Sequence, residues 1–180
     1  AGMNALAAIL AALLKRERTG EGEYIDVALL DATVAALINQ ASTYLVSGIV
    51  PQRMGNAHPT VVPYQAFATA DGHIILAVGN DGQFARFCAV AGLEHLAEDE
   101  RYKTNAARII NRDTLIPQIA EAIKRRTSAE WIKLLKSKAV PCGPINTIDQ
   151  VFADPQVQAR GMRRVLQHER IGSLPVVANP

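Results

Sequence analysis

The stretch Gln65-Ala-Phe-Ala-Thr-Ala-Asp71-Gly72-His73-Ile-Ile-Leu-Ala-Val78 decides how this chain is read. Two short runs, 65–70 and 73–78, flank Asp71-Gly72, a dipeptide suited to the positive φ angles of a tight turn, so the stretch predicts an antiparallel hairpin. Upstream, the pattern breaks between Gly48 and Tyr64, where Pro51, Gly55, Asn56, Pro59 and Pro63 make a long irregular segment. Such a segment marks a domain boundary, and long loops inside compact proteins are often functional. Downstream, Phe84, Phe87, Cys88 and Ala91 share one helical face that stops at Gly92. Leu115, Ile119 and Ile123 stack four apart in a helix predicted to begin only shortly before Pro117, since proline is tolerated in the first turn. Thr127 with Glu130 three residues on forms a capping box, and Trp131, Leu134 and Leu135 give the following helix its buried face, ended by Val140-Pro141. Hairpin and helices together predict a small α+β domain over residues 51–150.

The flanks read differently. Leu6, Ile9, Leu10, Leu13 and Leu14 make a helix with one apolar face, closed by Thr19-Gly20. Tyr24 to Ala28 alternates as a half-buried strand, and Asp31 to Ser47 returns to helical spacing through Val34, Leu37, Ile38, Ala41 and Leu45. Helix, strand, helix in that order predicts one corner of an α/β sheet whose other strands come from elsewhere, so residues 1–50 are expected to be part of a large, Rossmann-like α/β domain and its linker. Asp154-Pro155 offers an N-cap with proline at the first helical position. Arg163 to Val177 looks extended and is broken by Gly172, and residues 151–180 are expected to return towards the large domain. The apolar opening, Ala1 to Leu14, is too short to span a bilayer and has its basic residues, Lys15, Arg16 and Arg18, on the wrong side for a signal peptide. A helical pattern that starts at once, with no N-cap and no initiator methionine, reads as a chain whose upstream part is missing.

Composition excludes several functions. Lysine and arginine number 19 against 17 acidic residues, a balance of +2 that provides no basic field for nucleic acid. Cys88 and Cys142 lie far apart without metal-ligand spacing and do not make a disulfide scaffold, so no metal is expected and a reducing cytoplasm fits best. The chain carries no Walker-type phosphate loop, no HExxH and no GxSxG. Its four histidines are scattered, Lys124 to Arg126 suit the last turn of a helix, and Cys142 has no general base near it in sequence. One candidate site remains, Gly55-Asn56-Ala57-His58-Pro59. There a glycine allows close backbone approach, and asparagine or histidine can donate to a carbonyl or carboxylate. The competing reading is a structural loop stitched by asparagine and two prolines.

Four stretches, taken in order, carry a resemblance: residues 16–32 with Thr-Gly-x-Gly-x-x-x-Asp-Val, residues 55–81 with GNAHPTVVPYQAF ahead of ADGHI, residues 99–115 with DERYKTNAARIINRD, and residues 140–162 with VPCGPINT and ADPQVQARGM. Together they resemble the class III CoA-transferases (CaiB/BaiF type, formyl-CoA transferase-like), of which this chain looks like the C-terminal portion. The resemblance implies an aspartate that attacks an acyl-CoA thioester, then an aspartyl-CoA thioester from which an acceptor carboxylic acid takes the CoA. It places that aspartate upstream of Ala1, so no catalytic residue is expected here and the chain alone is expected to be inactive; Asp26 and Asp31 belong to later elements. The part of the site left in the chain is the loop around Gly55, with Gly55, Asn56, Ala57, His58 and Tyr64 as the expected substrate-binding positions. In such transferases the matching loop is a glycine string that folds over the active site. The resemblance further implies acyl-CoA and a carboxylic acid as small-molecule partners, an interlocked homodimer, and neither membrane nor nucleic acid. Acyl-CoA racemases share the fold, but they have an acidic residue just before the segment matching Val61-Val62-Pro63-Tyr64, and no carboxylate occurs between Arg53 and Ala70. A non-catalytic ligand-binding or dimerisation module is the alternative from another class.

Overall fold

The computed structural model describes residues 1–179. They form two compact units, Ala1–Arg53 and Met54–Pro180, and the fold is a mixture of helices and antiparallel sheet.

The first unit is helical. Helix α1 (Gly2–Thr19) ends on Gly20 at φ 77°, whose N–H returns to the Arg16 carbonyl. The segment Tyr24 to Ala28 belongs to neither sheet, which corrects the strand expectation: a strand is defined by a ladder partner, and the described residues supply none. Its alternation survives, with Ile25 and Val27 half-buried between exposed neighbours. The single helix expected from Asp31 to Ser47 is two, α2 (Leu29–Ala35) and α3 (Ile38–Ser47). Between them Ala36 and Leu37 donate to Thr33 and Val34, three residues back, tightening the turn before Ile38 at φ 43°. A β-branched residue at positive φ stores strain of about 1–3 kcal/mol. None of the three helices contains a buried residue.

The second unit holds the core. Strands β1 (Tyr64–Ala68), β2 (His73–Ala77) and β3 (Cys142–Pro144) form an antiparallel sheet in the order β1-β2-β3, with Phe67 opposite Ile74 and Ile74 opposite Pro144. Ile74 and Leu76, two apart on β2, are both fully buried, as the two-residue period of a strand requires. The hairpin is therefore present, but its turn is not the expected one. Gly72 does not take a positive φ. Instead Thr69 N–H donates to the Gly72 carbonyl, and the Asp71 carboxylate accepts from the Ser128 N–H at 2.8 Å and from the Thr69 hydroxyl at 3.0 Å. The aspartate is a tether to a later helix rather than a maker of left-handed backbone.

Five helices cover the sheet: α4 (Asp81–Ala91), α5 (Glu94–Glu98), α6 (Asn105–Ile110), α7 (Arg112–Ile123) and α8 (Ser128–Ser137). Asn80 caps α4 by accepting from the Gln83 N–H, and Gly92 closes it at φ 67°. Pro117 is the sixth residue of α7 and not in its first turn. The carbonyl it frees is that of Asp113, and both residues are exposed, where solvent can replace the lost bond. The capping box of Thr127 and Glu130 is formed, and Trp131 is buried with its indole N–H on the Ile123 carbonyl at 2.6 Å. Phe84, Phe87, Cys88, Leu96, Tyr102, Leu115, Ile119, Ile123, Trp131 and Leu135 pack into one cluster with the sheet. Beyond it follow α9 (Ile148–Ala153), α10 (Pro155–Ala159), capped by Asp154, and the hairpin of β4 (Arg163–His168) and β5 (Gly172–Val177). No helix among the described residues is long and apolar enough to cross a membrane.

Candidate functional site

The loop from Met54 to Pro63 is fixed by side chains from α6 and α7. Gly55 sits at φ 61°, a backbone conformation that favours glycine, and a Cβ there would meet no protein atom within 4 Å. The Ala57 N–H turns back to the Met54 carbonyl. Asn56 then replaces a ladder partner: its side-chain oxygen accepts from the Ala66 N–H of β1 at 2.8 Å. That bond fixes the amide orientation, because an N–H requires the oxygen, and leaves the Asn56 NH2 group without a protein partner among the described residues. One step along, the His58 N–H donates to the Tyr64 carbonyl at 2.9 Å, and the two rings stack with centroids 5.3 Å apart and planes 18° off parallel. His58 Nδ1 accepts from the Thr60 N–H at 3.2 Å. In the neutral imidazole this places the remaining proton on Nε2, which makes that edge a donor.

Beneath the loop lie three residues to which the sequence reading assigned no role. Asn105 Nδ2 donates to the Thr60 carbonyl at 2.8 Å and its oxygen accepts from the Val62 N–H at 3.1 Å. Arg112 Nη2 donates to both the His58 and the Pro59 carbonyls, each at 2.9 Å. Arg108 is wholly buried. It donates to the Val62 carbonyl at 2.6 Å and the Tyr102 carbonyl at 2.9 Å, meets Asp81 at 2.8 Å, and lies 4.4 Å above the Phe84 ring. The sequence signal is faint: Asn105, Arg108 and Arg112 recur at three and four residues, which marks one face of a helical run but not what that face meets.

Thus Gly55, Asn56, Ala57, His58 and Tyr64 all lie in one local structure, stitched by Asn56, with two donor groups that have no protein partner among the described residues. Elsewhere the polar side chains are accounted for. No buried side-chain nitrogen or oxygen among the described residues lacks a partner, and no three His, Cys, Asp or Glu converge there. Burial pushes the Cys88 thiol up to about 12 and raises that of Cys142, so neither thiolate forms readily.

The chain is similar to proteins of one kind. It is 47% identical over 179 residues to the succinate–glutarate CoA-transferase of Agrobacterium fabrum, covering 99% of this chain and 45% of that protein. To the human succinyl-CoA:glutarate CoA-transferase it is 39% identical over 175 residues, covering 97% of this chain and 40% of the other. The crystal structure of a CaiB/BaiF family protein from Brucella suis superposes with a TM-score of 0.81 at 44% identity, over 99% of this chain and 46% of that one. The chain thus spans less than half the length of these relatives. The sequence model of CoA-transferase family III matches residues 1–180, and the chain belongs to that family.

Proposed function

We propose that this chain is part of an enzyme that transfers CoA from an acyl-CoA to a carboxylic acid through an aspartyl-CoA thioester, with the aspartate outside residues 1–180. The observation that carries the reading is the 47% identity, over 99% of the chain, to a protein named a succinate–glutarate CoA-transferase. The chemistry balances without a redox partner. An aspartate carboxylate attacks the thioester and expels CoA thiolate, giving a mixed anhydride. The thiolate attacks the aspartyl carbonyl of that anhydride, releasing the donor acid and leaving aspartyl-CoA. The acceptor carboxylate repeats both steps in reverse order and departs as the new acyl-CoA.

The role of the present residues in this scheme is binding and enclosure. Gly55, Asn56, Ala57, His58 and Tyr64 form the wall against which the acid rests, with Asn56 and His58 supplying hydrogen-bond donors. Asp26 and Asp31 are both exposed, and neither meets a cation or a histidine within salt-bridge distance among the described residues, which supports leaving them out of the chemistry. In the whole protein, residues 1–50 and 151–180 belong to a large α/β domain and 51–150 to the small one. The exposure of Leu10, Leu14, Leu30, Leu45, Val165 and Leu166 supports this division, because apolar faces of that extent are made to be covered. A cytoplasmic homodimer completes the reading.

The test is an assay of CoA esters separated by chromatography, with succinyl-CoA and glutarate as substrates. The complete protein is expected to form glutaryl-CoA, and residues 1–180 alone none. Turnover by residues 1–180 would place the nucleophile within the chain and refute the scheme. Exchange of the α-hydrogen without CoA transfer would identify a racemase.

A further inference from the structure

The hydrogen-bond polarity of the loop selects one kind of acid. The Asn56 oxygen accepts from the Ala66 N–H and His58 Nδ1 accepts from the Thr60 N–H. The groups left without a protein partner among the described residues are donors, the Asn56 NH2 and the His58 Nε2–H. A cation is bound to the backbone of the same loop. Arg112 holds the His58 and Pro59 carbonyls at 2.9 Å, and among the described residues no carboxylate comes within 4.0 Å of it, whereas Arg101 and Arg108 each have one. It is also the first residue of α7, a 12-residue helix whose positive end adds to the same field. Unpartnered donors, with an unneutralised guanidinium on the same loop, are complementary to a carboxylate.

Two carboxylates could be meant, the one that reacts and one that does not. The reacting group must attack a thioester. Donors and a cation gathered on it would stabilise its ground state and blunt its nucleophilicity. The same arrangement costs nothing when the carboxylate is a spectator at the far end of the substrate. We propose that Asn56 and His58 hold the non-reacting carboxylate of a dicarboxylic acceptor, and that Arg112 is the positioning residue that keeps them there. The inference rests on the CoA-transfer reading above for its reaction. A monocarboxylic acid of equal length would put a methyl group against two donors and leave both unpaired, which is how a polar site rejects an analogue.

The experiment compares glutarate with valerate, acids of one length that differ in the second carboxylate, as acceptors for the complete protein. Unmodified protein is expected to favour glutarate in kcat/KM by at least about a hundredfold. Asn56→Asp is nearly isosteric and keeps an oxygen on the Ala66 N–H, but replaces the NH2 with negative charge; the preference should fall by roughly tenfold or more, through KM for glutarate. His58→Phe keeps the stack on Tyr64 and removes the donor, with a similar effect. Arg112→Met should lower the preference through the same KM, and Arg112→Lys should restore part of it. A preference near one in the unmodified protein, or a preference that Asn56→Asp leaves intact, overturns the inference. A second readout does not need turnover: the His58 ring resonances should move on titration with glutarate at an affinity at least about tenfold above that for valerate. If no acid accepts CoA, the proposed function fails, and this titration still decides whether the loop takes a dicarboxylate.

Discussion

Replacing Arg108 with methionine separates two accounts of what a buried arginine does. In the first, the side chain matters as half of an ion pair with Asp81, at 2.8 Å. In the second, it matters as the donor that satisfies backbone carbonyls on either side of it. Exposure decides between them: Arg108 is 0% exposed and the Asp81 side chain 53%. A carboxylate half in water is screened, and such a pair contributes about 0–1 kcal/mol. The carbonyls of Val62 and Tyr102 belong to buried residues, and leaving a buried acceptor unpaired costs about 1–3 kcal/mol each. The guanidinium above Phe84 adds roughly 0.5–2 kcal/mol where it is desolvated. Methionine refills most of the volume, so Arg108→Met should destabilise the second unit by roughly 3–5 kcal/mol, a large share of an ordinary domain's stability of about 5–15 kcal/mol. Asp81→Asn should cost about 0–1 kcal/mol. Urea unfolding followed by the fluorescence of Trp131 reads the right unit, because it is the chain's single tryptophan and is buried in the same cluster. A cost below about 1 kcal/mol for Arg108→Met, or an equal cost for Asp81→Asn, would refute the carbonyl account.

Three further outcomes follow from the same structure. The Ser128 N–H, with help from the Thr69 and Ser128 hydroxyls, holds the Asp71 carboxyl below its ordinary value of 3.8. A depressed folded value means the charge stabilises the fold fully above pH 3.8 and ceases to do so as pH falls through the depressed value. Unmodified protein should therefore exceed Asp71→Asn in urea midpoint at neutral pH, and the gap should close in acid; a gap that widens in acid reverses the sign of the argument. With a thiol-specific disulfide reagent, Cys142, which is half-buried, should react slowly in the native chain, and Cys88 only on unfolding; prompt labelling of both contradicts the burial of Cys88. Far-ultraviolet circular dichroism should lose part of its helical signal at lower urea than Trp131 fluorescence changes, because α1, α2 and α3 bury no residue. Coincident transitions would show the first unit to be as firmly held as the second.

How much was readable in advance depends on the distance a feature spans. Helices α4, α7 and α8 of the second unit and its first hairpin were legible, since their periods are local and a cap such as Thr127 with Glu130 lies within one turn. The turn of the hairpin was misread because its chemistry is not local: Asp71 bonds to Ser128, 57 residues later. The candidate loop could be picked out through Gly55, Asn56 and His58. Its anchors could not, because Asn105 and Arg112 reach it across 43 and 54 residues and carry no turn or cap signal of their own. Strand β3, only three residues long, has too few positions to show a period.

The first unit shows the opposite failure, in which the period is right and its consequence is not. The spacing of Leu6, Ile9, Leu10, Leu13 and Leu14 correctly predicts a helix with an apolar face, yet each of these residues is at least 41% exposed. The same spacing on α7 yields Leu115, Ile119 and Ile123 at 0%. Periodicity thus specifies that a face exists; what covers it is decided by residues elsewhere in the chain or in another. The same holds for Tyr24 to Ala28, where Ile25 and Val27 alternate with exposed neighbours although no strand among the described residues pairs with them. The break at Ile38 is of the same origin. It contains neither glycine nor proline, its positive φ costs energy, and strained backbone persists only where its surroundings determine it. In a unit with no buried residue those surroundings are missing, so relaxation of Ile38 into a continuous helix from Leu29 to Ser47 is the change in structure this chain should undergo most easily.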